Sequence, residues 1–562
     1  MPLEPESATF DLTREPWVPV QRGDGHETSL SLRDVFDQAE NLRRVVGDVP
    51  TVEFALLRLL LAILHDAIDG PADIDEWQDL WDSGLPVKKL HAYLDEHHER
   101  LDLLHPRTPF LQTPGLRTAR DEISPLDKIV ADVPNGARFF TMRAAGVDRL
   151  SFAEAARWLV HAHAFDTSGI KTGAVGDPRV KGGRGYPQGV GWAGNLGGVL
   201  VAGANLRETL LLNLVAFDTE NLRLKPEHDR PAWRQPVPGP APTDELELSR
   251  RPYGPRDLYT WPSRRIRLHA DDQGVTGVVL AYGDPLPARN MHEREPMTAW
   301  RRSPVQEKKL GFATVYLPRE HDPSRSAWRG LGALVTGEVD GAEQRGEAAA
   351  TVRPRILDWV ARLAVEDALP PDFPVWARLY GAQYGTQQSV IDEIIDDAVA
   401  MPIVVLRERD RALGRQAVRA VTDADTGVRA LGWLAANLAQ AAGDDPEPAA
   451  ETARDRGYAL LDGHFRQWLF ALDATARDEQ AAQARRAIWQ DTARRLLTQL
   501  GADLCAMAGD EAWAGRVIAT RKGQTLWLNT AQADLTFRAQ LRKALPGHAP
   551  PSPAPEPQEA GR

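Results

Sequence analysis

Hydrophobic periodicity divides the chain into stretches of different character. Within Phe54–Leu64 (FALLRLLLAIL), Leu56, Leu57, Leu60 and Ile63 share one face at 3.6 residues per turn, which predicts a strong amphipathic helix. Thr51, followed by Glu53 in the first turn, is its expected N-cap. Further helices are predicted over Glu76–Trp81, Val87–His98, Phe152–His163 and Arg353–Ala364. Arg264–Tyr282 instead alternates with period two about Asp-Asp-Gln-Gly, the pattern of a β-hairpin. Phe10–Val20 reads as a short strand running into an extended segment, and Val199–Val201 resumes ordered structure before Leu206–Leu214. Pro231–Pro242, with five prolines in twelve residues, must be an extended connection. Gly381–Gln388 reads as a short polar loop. Beyond about Arg409, proline and glycine thin out. There Leu496, Leu500 and Leu504 recur every four residues beside Trp489 and Leu497, predicting a bundle of four helices. The expected fold class is therefore α+β: a mixed N-terminal domain (1–405), a C-terminal four-helix bundle (406–545) and a disordered Pro/Ala/Glu-rich tail (546–562).

Composition narrows the class. At 562 residues the chain exceeds one ordinary core, and 43% hydrophobic with 26% charged residues describes a globular protein. The single Cys505 excludes a disulfide framework and a cysteine-built zinc site, and suits a reducing cytoplasm. No signal peptide or membrane span is expected, because Arg58 interrupts the longest apolar run. The net charge of −12 argues against a freestanding nucleic-acid binder, but leaves room for local basic surfaces on a subunit of an assembly.

Few motifs carry chemistry. Gly189–Gly194 (GVGWAG) matches G-x-G-x-x-G formally, yet KGGRGYPQ before it is no strand, so a dinucleotide site is not expected. His65-Asp66 at the end of the apolar helix has the form of a phosphohydrolase dyad, which would make a metal-dependent phosphohydrolase the rival reading. His161, His163, His97 and His98 are available ligands, although no spacing selects them. Cys505 on an apolar helical face is most simply core. No catalytic centre and no cofactor are implied. Gly169–Gly198 is more informative: eleven glycines in thirty residues, with Lys171, Arg179, Lys181 and Arg184 but only one acid, Asp177. Glycine lets backbone approach a surface closely, and interleaved cations point to a polyanion; a surface loop is the plain alternative. Arg289, Arg294, Arg301, Arg302, Lys308 and Lys309 form a second basic loop, partly offset by Glu293, Glu295 and Glu307. The bundle carries Arg415 and Arg419, Arg485 and Arg486, and Arg494 and Arg495, as an anion-facing side or ordinary solvent faces.

The order FDLTREPWVPV, TVEFALLRLLLAILH, TPFLQTPG and the Gly-rich stretch ending in NLRETLLLNLV resembles the CasA family, the large subunits of type I-E CRISPR Cascade complexes. The resemblance runs from Phe10 to about Leu545. It implies a non-enzymatic subunit that partners other Cascade subunits and crRNA. Such a subunit reads the protospacer-adjacent motif (PAM) on double-stranded target DNA, begins unwinding and recruits the Cas helicase-nuclease. Carried over by residue, the family's glycine loop falls at Gly169-Ile170-Lys171-Thr172-Gly173, here with fewer consecutive glycines and a longer insertion through Gly185. The basic minor-groove finger falls at Arg289. The glutamine wedge, in a loop preceding a helix, falls at Gln388 with Gln387 and Ser389 flanking. A loop contacting the crRNA handle and a neighbouring subunit falls at Asn135–Gly146, with Phe139 or Phe140 stacking. The chemistry is coherent: the minor groove's main distinguishing donor is the guanine amine, which a backbone carbonyl can accept. A cation is drawn by the groove's potential, and a wedged side chain offsets a few kcal/mol of unstacking.

Overall fold

In a computed structural model, residues 9–131, 147–335, 349–407, 411–472, 478–519 and 525–547 are described. The tail expected at 546–562 lies almost wholly outside them. Contacts divide the chain into two compact units. The first is Met1–Leu369 with Val375–Val399; the second is Pro370–Pro374 with Ala400–Arg562. The chain thus changes unit at Val399/Ala400, a few residues before the expected 405/406, and lends the short piece 370–374 to the second unit.

The first unit mixes short sheets with helices. β1 (Val18–Arg22) lies between β2 (Glu27–Leu30) and β3 (Leu42–Val45), antiparallel to both. The helix α1 (Pro50–Ile68) follows and is buried along almost its whole length. Its N-cap is Val49, with Pro50 in the first turn, and not Thr51 as the pattern predicted. Thr51 is one position inside, where its Oγ1 lies 2.9 Å from His161 Nε2, so its hydroxyl serves packing between helices. That partner lies on α2 (Phe152–Phe165), which opens with a capping box between Ser151 and Glu154.

After α2 come two two-residue strands, β4 (Lys171–Thr172) and β5 (Arg184–Gly185), then β6 (Gly198–Ala202) and α3 (Leu206–Leu212). The predicted hairpin is present as β7 (Arg264–Asp271) and β8 (Gly274–Tyr282). The second basic loop is partly ordered, containing β9 (Trp300–Arg302) and a short helix at Pro304–Leu310; β9 lies between β10 (Tyr316–Pro318) and β11 (Thr351–Val352). α4 (Arg355–Val365) precedes β12 (Pro374–Tyr384) and β13 (Ile391–Pro402), which extend β6 into a three-stranded sheet. Trp376 to Tyr380 pair with Ala202 to Gly198. The stretch Gly381–Tyr384, expected to be loop, is therefore strand, and only the turn after it is irregular.

The described second unit holds four long helices: α5 (Arg411–Ala442), α6 (Pro446–Phe470), α7 (Glu479–Ala506) and α8 (Thr530–Ala544). The buried seam of α7 is Trp489, Ala493, Leu497, Leu500, Gly501 and Cys505; Leu496 and Leu504 sit at its margins. Three leucines spaced by four drift around a helix of 3.6 residues per turn, so only the middle one meets the core. An additional hairpin, β14 (Arg516–Ala519) and β15 (Thr525–Leu528), was not foreseen. Among the described residues, no helix is long and apolar enough to cross a membrane.

Candidate nucleic-acid interface

The glycine-rich segment is anchored from beneath by charge. Asp166, the residue after α2, is buried; its Oδ1 lies 2.8 Å from Lys171 Nζ, and its Oδ2 accepts from Arg264 Nε. Both ends of the Lys171–Asp166 pair are more than nine-tenths buried. Lys171, expected to face DNA, is thus an internal anchor. The reason is electrostatic: a buried carboxylate needs partners, and a lysine five residues away supplies one. Burial alone would raise the Asp166 carboxyl, but Lys171 and Arg264 outweigh it and hold it below the usual range. Burial pushes the Lys171 ammonium down.

Arg264 does more than neutralise. Its Nη2 donates to the carbonyls of Asp166, Thr167 and Gly189 at 3.0, 3.0 and 2.9 Å, and its guanidinium stacks over Tyr282, 4.9 Å from the ring centre. The Tyr282 hydroxyl donates to the Gly169 carbonyl at 2.6 Å. Gly169 is thereby held, while Ile170 beside it is exposed. Gly173 is needed for close approach: a Cβ there would stand 2.6 Å from the backbone of Gly183, whose carbonyl accepts from Gly173 N at 3.0 Å.

The glutamine turn lies against this loop. Ser168 N donates to the Gln388 carbonyl at 2.7 Å, and a Cβ on Gly169 would touch Ser389 at 3.8 Å, an ordinary contact. Two elements more than 200 residues apart in sequence thus share one surface. The turn sits at the tip between β12 and β13, so a strand follows it, not a helix. Ile391, Ile394, Ile395 and Val399 give the following segment the β-branched content that favours sheet. Gln387 and Gln388 both adopt left-handed φ, 56° and 55°, and both are exposed. Left-handed backbone costs a non-glycine residue on the order of 1 kcal/mol. Gly385 N to the Val390 carbonyl (3.0 Å), Gln388 N to the Gly385 carbonyl (2.9 Å) and Ser389 Oγ to the Thr386 carbonyl (2.9 Å) hold the turn in that form. From below, Tyr384 donates its hydroxyl to the Phe165 carbonyl at 2.7 Å.

Arg289 belongs to a separate turn. It is exposed and has no ion-pair partner among the described residues. The next residue, Asn290, has φ 56°, and its side-chain oxygen accepts from Tyr316 N at 2.7 Å, which fixes the turn to β10. Of its neighbours, Arg302 pairs with Glu307 and Arg294 donates to the Arg251 carbonyl at 2.7 Å; Arg301 is exposed. Phe139 and Phe140 lie outside the described residues.

The rival phosphohydrolase centre does not assemble. Asp66 accepts from the Tyr93 hydroxyl at 2.6 Å, from Arg234 at 2.9 Å and from Arg256 at 3.3 Å, a cationic setting in which its oxygens are already used. His65 contacts the Gly70 carbonyl and burial lowers its pKa to about 3; His161 and His163, each lowered to about 4, contact Thr51 and the Leu111 carbonyl. Among the described residues no group of three or more His, Cys, Asp or Glu could hold a metal ion. GVGWAG is a packing motif, since a Cβ on Gly191 would stand 2.5 Å from Ala164. Several bundle arginines are already paired with acids of their own unit: Arg415 and Arg419 meet Glu479, Arg486 meets Asp423, and Arg494 meets Asp491.

Asp166, Arg264, Tyr282 and Ser168 were not singled out from sequence. Arg264 and Tyr282 were visible only as ends of a hairpin, with no local signal linking them to a loop about 100 residues earlier.

The fold and this surface define an α+β protein with a C-terminal helical unit, whose distinctive feature is two backbone-anchored loops on one face. The chain belongs to the CRISPR-associated Cse1 family, also called CasA, whose family model matches residues 11–500. A solved Cse1 from Thermobifida fusca is 64% identical, with TM-score 0.88 over 96% of this chain and 98% of that one. The CasA/Cse1 protein of Thermus thermophilus is 30% identical over 359 residues, 61% of this chain and 62% of the relative, less than two thirds of its length. At the level of fold, a chain from a structure described as a CRISPR RNA-guided surveillance complex has TM-score 0.65 at 20% identity, over 95% of this chain and 99% of that one.

Proposed function

We propose that this chain is the subunit of a crRNA-guided Cascade complex that recognises the PAM on double-stranded DNA from the minor groove. It starts duplex unwinding for R-loop formation and recruits the Cas helicase-nuclease, with no catalytic centre of its own. Its partners are the other Cascade subunits, the crRNA and target DNA, in the cytoplasm. The observation that carries the reading is the Ser168–Gln388 hydrogen bond, which seats an exposed glutamine turn beside the Gly169 loop. Backbone of the glycine loop reads the groove edge, where the code is degenerate and several motifs are tolerated. Gln388, flanked by Gln387 and Ser389, enters the base step beside it and offsets unstacking. Arg289, exposed and unpaired among the described residues, is drawn into the groove's negative potential. Target identity beyond the motif is left to guide pairing.

The test is duplex capture by the Cascade complex reconstituted with and without this chain, on targets bearing or lacking the motif. Motif-dependent capture that requires the chain supports the reading. Equal capture of both targets would reduce the chain to architecture. The net charge of −12 further predicts weak, salt-sensitive duplex binding by the free chain.

A further inference from the structure

The four cations of the glycine-rich stretch fall into two classes. Lys171 is buried on Asp166, and Arg179 is bound to Asp177 and to the carbonyls of Tyr282 and Gly283 at 3.0 and 2.9 Å. Lys181 and Arg184 are different. They close a two-residue turn, Lys181 N to the Arg184 carbonyl at 3.1 Å and Arg184 N to the Lys181 carbonyl at 3.2 Å. Gly182 and Gly183 form its tip with φ 59° and 75°, the backbone that two-residue hairpin turns require. All four residues are exposed, and a Cβ on either glycine would meet nothing within 4 Å. Neither Lys181 nor Arg184 has an ion-pair partner among the described residues. From Pro178 to Gly198 the sequence contains no acid, in a chain of net charge −12.

The base of this turn is rigid. Gly183 packs on Gly173, Arg184 pairs with Thr172, and Arg179 ties the preceding residues to the end of β8. The result is a fixed prong with a tip free of side chains and a cation on each shoulder. Such a prong has no hydrogen-bonding side chain at its tip to discriminate bases, but can place two positive charges on a polyanion with its backbone already ordered, so that only the two side chains must be fixed.

We infer that Lys181-Gly182-Gly183-Arg184 is a phosphate-contacting prong that grips the backbone of the target duplex without regard to sequence. This inference rests on the proposed DNA-recognition role. It adds a contact that positions the duplex, as distinct from those that read it.

The assembled complex carrying Lys181→Ala, Arg184→Ala or both is titrated with motif-bearing and motif-lacking duplex across a range of salt. Each single change is expected to weaken both duplexes by the same factor and to make the slope of log K against log salt shallower by about 0.9, the double change by about twice that. Lys181→Arg should keep the wild-type slope. Unchanged slopes, or a loss confined to the motif-bearing duplex, would overturn the prong. Loss of crRNA from the variant complexes would assign the turn to RNA and overturn it too. If duplex binding by the wild-type complex does not depend on this chain at all, the proposed function itself fails. If binding depends on the chain but ignores both substitutions, only the prong fails.

Discussion

The two units solve different problems with the same charged residues. In the first, ion pairs lie inside: Arg58 grips Glu295 with two bonds of 3.0 and 2.9 Å, Arg265 meets Asp284 at 2.9 Å, and Asp166 sits between Lys171 and Arg264. In the second, pairs such as Arg415–Glu479 and Arg538–Asp534 lie on helix surfaces, and the core is mainly Ala and Leu with Val, Phe and Trp, with a buried polar exception at Asp423, which meets Arg486 and Gln490. Long helices satisfy their own backbone, so their side chains need only pack. Irregular loops do not, and Arg264 bonds the carbonyls of Asp166, Thr167 and Gly189, as Arg179 bonds that of Gly283, all outside the strand ladders. In the bundle the same device appears at helix ends, where Arg494 and Arg516 bond the carbonyls of Leu545 and Ala441; a surface built from glycine-rich turns leans on it throughout.

Acid should separate the units most. His65, His161 and His163 are all buried in the first unit, with pKa values pushed by burial to about 3, 4 and 4 from an ordinary 6.5. The unfolded chain binds their protons first, so stability present above pH 6.5 is lost as pH falls toward 4, on the order of 3 kcal/mol for each group. Asp229, raised by burial to about 7, acts in the opposite sense as pH rises from about 4 to 7, but it is one group against three. His464, on the described part of the second unit, is exposed. Urea unfolding followed on peptides from each unit should show the first unit failing well before the second at pH 4.5. Parallel loss would break the comparison.

Asp166→Ala comes next. It strands Lys171 and Arg264 as buried cations and should cost about 3–5 kcal/mol in the first unit alone. The counterpart Glu479→Ala removes a partner from the partly exposed Arg415 and Arg419 and from the buried Gln416 amide, and should cost the second unit less, about 1–2 kcal/mol. Smaller still is Gln388→Gly. Relief of the left-handed backbone should leave stability unchanged or raise it by up to about 1 kcal/mol, whereas loss of a side chain that stabilised the turn by its own contacts would lower it. Chemical denaturation of the three variants measures all of these.

What sequence disclosed follows the same division. The α+β class, the α1 and α2 helices, the β7–β8 hairpin and four long C-terminal helices were legible because periodicity is local. The strand at Gly381–Tyr384 was not, because Gly, Gln and Tyr conceal a pattern set by the neighbouring β13, beyond the stretch of β12 that pairs with β6. Thr51 looked like a cap because capping residues and buried hydroxyls share a chemistry; only His161, about a hundred residues away, decides between them. At the site, Gly169 and Gln388 could be named from the family resemblance, but not that Ser168 bonds to Gln388. Lys171 was misread for a related reason: composition counts charges and cannot see that Asp166 had already claimed this one.

The central claim is that the Gln388 turn, seated on the Gly169 loop, opens the duplex. Its most direct test is R-loop yield of the Gln388→Ala complex on a fully paired target and on one whose first guide-complementary base pairs are already mismatched. A wedge acts on strand separation, so the account predicts a marked loss on the paired target and a much smaller one on the pre-opened target, where the few kcal/mol of unstacking have been removed. Equal loss on both would contradict it and leave Gln388 a structural residue of the turn.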